Sequence, residues 1–397
     1  LLLSSTLLVP APAAESRAET AYRTGFERWR AADGGFSAWE RQGLTLAADG
    51  TLQLDPATAQ RGVDPFPPGG YFGGNYYNGG AFLVGEAISP VISTKFPFAE
   101  AIASWNADTP PGTWVEVQIR AQLGERFTKW YVLGIWAADG GTIQRHSVRR
   151  QGDNDGFVAV DTLILRAPSS AFQLKARLFS ADGQQVPTLR NASLAYSTPS
   201  GTAPTTRRPG APQRWNTLID VPSCSQMVYP DGGVVWCSPT STAMVLGYWQ
   251  QNRGPCEPQV RAAVDGVYDW VYDGHGNWPF NTAYAATQNM EGYVVRFSSM
   301  AQLEPLVAAG IPLVFSFAWN EGELPGAAIP SSDGHLAVLV GFDASGNPIV
   351  NDPAAASDAA VQRTYPRQEL ETLWLSRSGG TTYVIVPANF RGLELGL

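Results

Sequence analysis

Trp236-Cys237-Ser238-Pro239-Thr240-Ser241-Thr242-Ala243-Met244 is the stretch that decides the reading of this chain. A cysteine stands just before a proline, and a helix-like run follows. Proline at the first helical position is pre-set for helix initiation. That puts the Cys237 thiol at the positive end of a helix dipole. A thiolate is stabilised there, and a thiolate is a nucleophile. A thiol-dependent hydrolase is the expectation that the remaining residues must meet. Ser238 and Ser241 lack a Gly-x-Ser-x-Gly elbow and read as helix-capping residues.

Working outward, the pattern around this stretch is α+β. Helices are expected over Pro239–Gln251, Pro258–Tyr272, Asn281–Glu291 and Met300–Ala309. Strands are expected over Pro312–Ala318, His335–Phe342, Pro348–Asn351 and Thr382–Val386. Helices first and strands later, without βαβ alternation, argue against a doubly wound sheet.

A thiol nucleophile needs a base, and histidine fits because it titrates near neutral pH. The chain has three histidines. His146 lies among arginines and reads as a surface residue. His275 lies in the glycine-rich loop Asp273-Gly274-His275-Gly276-Asn277-Trp278. His335 opens a buried strand, where a base is held rigidly. Asn351-Asp352-Pro353 ends the next strand. If the two strands form a hairpin through Asp343–Asn347, Asp352 returns towards His335 and can orient the imidazole. Asn351 is the rival, but adjacent strand residues point to opposite faces, so one of the two faces His335. An oxyanion also needs a donor, and the Gln226 amide with the Cys237 backbone N–H is the candidate.

The chain has three cysteines. With Cys237 as nucleophile, Cys224 and Cys256 are either a disulfide bracing the site or two free buried thiols. Neither Cys-x-x-Cys nor His-x-x-x-His spacing occurs, so a zinc site has no support. No metal or organic cofactor is implied.

The 397 residues suit two domains. Residues 1–19 read as the tail of a secretory signal peptide, with an apolar run ending in small residues. Residues 20–197 read as an all-β sandwich, jelly-roll-like, from alternating runs such as Trp114–Arg120 and Phe172–Leu178 between Asp-Gly turns. Tyr71, Phe72, Tyr76, Tyr77, Trp105, Trp130 and Trp136 either form a ligand surface or fill the core. Residues 198–213 are a Pro/Thr-rich linker, and 214–397 carry the Cys/His pattern. The net charge of −8 argues against nucleic acid as a partner. No other stretch has the length and apolarity of a transmembrane helix.

Residues 214–390 resemble the C39-like cysteine peptidases. The resemblance rests on Val221-Pro222-Ser223-Cys224-Ser225-Gln226, Trp236–Ser241, Gly276–Tyr284, Gly334–Phe342 and Val350-Asn351-Asp352-Pro353. It implies a papain-like α+β fold with Cys237 as nucleophile, His335 as base, Asp352 as orienter and Gln226 as oxyanion donor. Trp236, Asn277 and Trp278 are the expected substrate-binding residues. His275 is either a substrate contact or a loop residue. The segment Trp319–Pro330 is either a flap over the cleft or a surface loop.

The reading is a secreted or cell-envelope cysteine peptidase that hydrolyses peptide or amide bonds through a Cys-His-Asp triad and a thioester. Two alternatives stay open. One is transglutaminase-like acyl transfer on the same residues. The other is a non-catalytic surface-binding protein, with a glycan or cell-surface ligand for the β domain.

Overall fold

The computed structural model describes residues 22–200, 208–390, 392 and 395. The expected signal segment therefore lies outside the described residues, as does the middle of the expected linker. The described residues hold two antiparallel sheets.

The first sheet has 13 strands. Its principal strands are β1 (Thr24–Arg30), β2 (Ala81–Ile88), β3 (Ile92–Asp108), β4 (Thr113–Leu123), β5 (Tyr131–Trp136), β6 (Gly156–Ala159), β7 (Thr162–Ser180) and β8 (Thr188–Ser197). Neighbours run β5–β4–β7–β3–β8, with β1 on β8, β2 on β7 and β6 on β7. Instead of two separate sheets making a sandwich, one hydrogen-bonded sheet curls into a nearly closed, barrel-like form. The 19-residue β7 makes this possible. Its first residues pair with β3, its register breaks around Ser169, and its last residues pair with β4 and β2. Such a bulge bends a strand and lets it change partners.

The aromatic residues divide as their burial demands. Trp105 and Trp136 lie in the core beside Leu133, Phe172 and Tyr196. Tyr71 and Tyr77 join a second cluster with Phe82, Trp114 and Phe179. Trp130 is half-buried under Arg120 and Lys175, and Phe72 is exposed. His146, expected at the surface, is buried. Its ring nitrogens are spent on the Ser147 and Tyr76 carbonyls at 3.0 and 2.7 Å.

The second region contains α1 (Cys237–Trp249), α2 (Cys256–Val267), α3 (Trp278–Thr287), β9 (Met290–Arg296), α4 (Glu304–Ala308), β10 (Leu313–Trp319), β11 (Ser332–Phe342), β12 (Pro348–Asn351), β13 (Gln362–Thr364), α5 (Arg367–Ser378) and β14 (Thr381–Pro387). The sheet order is β9–β14–β10–β11–β12–β13. Helix α1 is buried almost all round from Ser238 to Gly247, so it is the central helix against this sheet. Helix α2 ends earlier than expected. The Asp269 carboxylate accepts the Val271 and Tyr272 N–H groups at 3.0 Å, a local turn that competes with helix. Helix α3 also stops early, because Asn289 turns left-handed at φ +61° and the chain leaves as β9. Cys224 and Cys256 are disulfide-bonded, tying the loop before α1 to the start of α2.

The two regions share a core. Phe280 and Ala283 of α3 belong to the first sheet's cluster, with Phe280 against Trp105 and Trp136 at ring distances of 6.2 and 5.5 Å. Strand β9 is bonded to the first sheet through Asn106–Gly292 at 2.9 Å and Ser104–Val294 at 3.0 Å. Arg30 pairs with Glu291, and Arg296 with Glu100.

Candidate active site

Cys237 is the first residue of α1 and the one free cysteine, half-buried. Pro239 is the third helical residue rather than the first. It still falls in the opening turn, where its missing N–H leaves no bond unmade. No side chain caps the helix, so its first N–H groups remain available beside the thiol. Ser238 and Ser241 do not cap it. Ser238 meets the Tyr383 hydroxyl at 2.9 Å, and Ser241 donates to the Leu336 carbonyl at 3.1 Å. The second bond ties the cysteine helix to the residue beside His335.

His335 is buried on β11, edge-on to the rings of Phe317 and Trp319 at 5.4 and 5.5 Å. The hairpin forms, with Val338 opposite Asn351 and Leu339 opposite Val350. Asp352 accepts from His335 Nε2 at 2.7 Å. His335 lines the same cleft as Cys237. Asn351 points away and donates to the Val221 and Pro222 carbonyls at 3.2 Å. The other Asp352 oxygen accepts from the Tyr365 hydroxyl at 2.6 Å, and the Ala354 N–H donates to Oδ1 at 2.9 Å. Tyr365 carries no sequence motif. It reaches Asp352 only because β13 folds against β12.

Burial alone would pull the His335 imidazolium down. The Asp352 carboxylate and the Cys237 thiol outweigh it and push the pKa up to about 10. Burial likewise opposes ionisation of Asp352, and His335, Tyr365 and the Ala354 N–H reverse it, so the carboxyl sits below its ordinary range.

Gln226 is buried beside Cys237 in the same cleft. Its Nε2 donates to the Gly233 carbonyl at 2.7 Å. A carbonyl there requires the amide nitrogen, so the side-chain orientation is set, and the second Nε2 hydrogen is left over. The backbones also lie close here and require glycine: a Cβ on Gly233 would come 1.9 Å from the Gln226 backbone carbonyl oxygen.

Trp236 and Trp278 line the cleft, as does His275, whose pKa burial pulls down. Asn277 is not among the residues that line the cleft. It is fully buried, its amide donates to Asp269 at 2.9 Å, and its oxygen caps α3 through the Phe280 N–H. The loop after β10 is anchored rather than free: Leu324 is buried, Trp319 Nε1 bonds the Ile329 carbonyl, and Ile329 lines the cleft. The cleft measures about 950 Å³. Among the described residues, no group of three or more His, Cys, Asp or Glu is placed to hold a metal ion. No helix among them is long and apolar enough to cross a membrane.

Residues 218–382 match the Peptidase_C39 like family, and residues 25–197 match the Peptidase C39 N-terminal domain. Residues 218–382 belong to the C39-like peptidase family. The family implies a cysteine-type peptidase, and peptides as its substrates. No curated protein matches the chain. Among solved structures, a family two carbohydrate esterase from Cellvibrio japonicus is similar over 45% of this chain at 11% identity and a TM-score of 0.19. The match spans 36% of that chain's length, and a likeness at this level carries no argument about fold or function.

Proposed function

We propose that the chain is an extracytoplasmic, papain-like cysteine peptidase in which Cys237, His335 and Asp352 act as a triad. The observation that carries this reading is the chain Tyr365–Asp352–His335, whose imidazole lines an open cleft together with the one free thiol, Cys237. The disulfide supports an oxidising compartment.

The chemistry follows from the groups. The Cys237 thiolate attacks the amide carbonyl, forming a C–S bond and an oxyanion. The Gln226 amide and the Cys237 N–H stabilise that oxyanion. The intermediate collapses, the C–N bond breaks, and the imidazolium gives its proton to the leaving amine. The neutral imidazole then takes a proton from water, which attacks the thioester and frees the carboxylic acid and the thiol. Asp352 holds the ring throughout and stabilises its charged form, and Tyr365 holds Asp352.

The test is turnover of a quenched peptide library by the purified protein, with and without an added primary amine. Cleavage that disappears in Cys237→Ala supports the reading. Amide products that replace acids when the amine is present would make the enzyme an acyl transferase. A folded protein with no Cys237-dependent turnover would sink both.

A further inference from the structure

The cleft that holds Cys237 is not built by the second region alone. Glu100, Ala159, Val160, Asp161, Thr162 and Ile164, all from the first sheet, line the same cavity. Four of these are consecutive and form the tip of the β6–β7 hairpin.

That tip has an unusual backbone. Val160 lies at φ +57°, and among the described residues it is the one β-branched side chain with a positive φ. The Asp161 N–H bonds the Ala159 carbonyl two residues back at 2.7 Å, closing a γ-turn on Val160. A γ-turn with positive φ is rare and strained, and glycine would adopt it freely. A stiff valine in a glycine conformation is an outlier that its surroundings must hold in place.

The holding contact is visible. The buried Asp161 carboxylate accepts the Trp278 N–H at 2.8 Å and the Thr162 hydroxyl at 2.9 Å. Trp278 opens α3 and itself lines the cleft, so the hairpin is locked onto the catalytic region at the cleft wall. Cys237 lines the same cavity as this hairpin tip. Burial first, then the charges of Asp161 and Cys237, raise the pKa of Tyr272, which lines the same cavity. Strain retained at a cleft wall, where a glycine would remove it, favours a role for the side chain itself.

We propose that Val160 is a specificity-determining residue contributed by the N-terminal domain, presenting its isopropyl group to an apolar side chain of the peptide substrate. The inference rests on Cys237 being the acylated nucleophile, and it extends that reading to a substrate class: peptides with an apolar residue beside the scissile amide. The other apolar wall of the cleft, Val234 and Val235, is strongly exposed and offers the same chemistry to the chain's neighbouring residue.

The test uses the full chain and three alkylating agents, because the other two cysteines are disulfide-bonded and Cys237 alone reacts. The agents are N-acetyl-leucyl chloromethyl ketone, N-acetyl-glycyl chloromethyl ketone and iodoacetamide. In each, the thiolate forms a C–S bond and displaces the halide. With rates normalised to iodoacetamide, wild type should favour the leucyl over the glycyl probe by about tenfold or more. Val160→Gly should remove most of that preference and fold at least as stably, since it relieves the turn. Val160→Asp should fall below it. A leucyl preference that is absent in wild type, or unchanged in Val160→Gly, would overturn the proposal. The iodoacetamide rate reads the nucleophile separately. If Cys237 reacts only as an ordinary thiol while the leucyl preference still depends on Val160, the triad reading fails and the wall stands.

Discussion

Each sheet buries a carboxylate that accepts a tyrosine hydroxyl and faces a cation. In the first sheet, Glu116 takes Tyr77 at 2.5 Å and Arg177 at 2.9 Å, with Gln118 beside it. In the second, Asp352 takes Tyr365 at 2.6 Å and His335 at 2.7 Å. The difference lies in the cation and in what lies beyond it. Arg177 stays charged at every accessible pH and leads to no nucleophile. His335 can release its proton and shares an open cleft with a free thiol. Burial of an ion pair is therefore no mark of function by itself. A titratable partner and an exit to a reacting atom are what separate the two clusters.

The largest effect that could break this contrast is on turnover. Cys237→Ala or His335→Ala should lower kcat on the order of 10⁴-fold or more while the protein stays folded, read by peptide cleavage beside circular dichroism. Arg177→Ala should do the reverse. It leaves Glu116 buried and uncompensated, so it should cost about 3–5 kcal/mol of stability in urea unfolding with little change in kcat of the folded fraction. Equal losses of kcat in both clusters would erase the distinction.

The tyrosines sharpen it. Tyr365→Phe and Tyr77→Phe each remove a hydrogen bond to a buried carboxylate, worth about 1.5–3 kcal/mol, and Tyr77→Phe also removes the bond from Arg177 at 3.0 Å. The first loss should fall mainly on kcat, and the second entirely on the urea midpoint. The smallest effect is on pH. The His335 pKa is raised above its usual 6.5 to about 10, so its contribution to stability is full below pH 6.5 and fades as pH rises towards 10. The Asp352 pKa is lowered, so its contribution is present above the ordinary carboxylate range and is lost as pH falls below it. His335→Gln should flatten the alkaline decline of the urea midpoint, whereas Arg177→Ala should leave its slope unchanged.

The chemistry was more legible in the sequence than the architecture. Cys237 announces a helix start locally, and the Asp343–Asn347 turn brings Asp352 back by strand pairing alone. Gln226 was readable only from its order before the cysteine. Tyr365 was not readable, since its contact depends on a third strand folding back. Helix α5 was missed although Pro366 precedes it and Gly379, at φ +63°, follows it. Those are ordinary start and stop signals, set in a segment rich in charge. The Asn277-Trp278-Pro279 stretch also caps a helix, a second reading of the same residues that the family loop alone does not reveal. The barrel-like closure was hidden because alternation gives each strand's faces but not the point at which β7 changes partners. The Pro/Thr-rich stretch reads as a linker, and a linker carries no signal for packing between the regions it joins, such as Phe280 in the first sheet's core.

The central claim is that Cys237 and His335 form a thiolate–imidazolium pair, and iodoacetamide labelling of wild type, Cys237→Ala and His335→Ala across pH tests it most directly. The account predicts fast labelling well below the ~8.5 of a free thiol, lost in Cys237→Ala and slowed at low pH in His335→Ala. Labelling that rises only near that ordinary value, and is indifferent to His335, would contradict it.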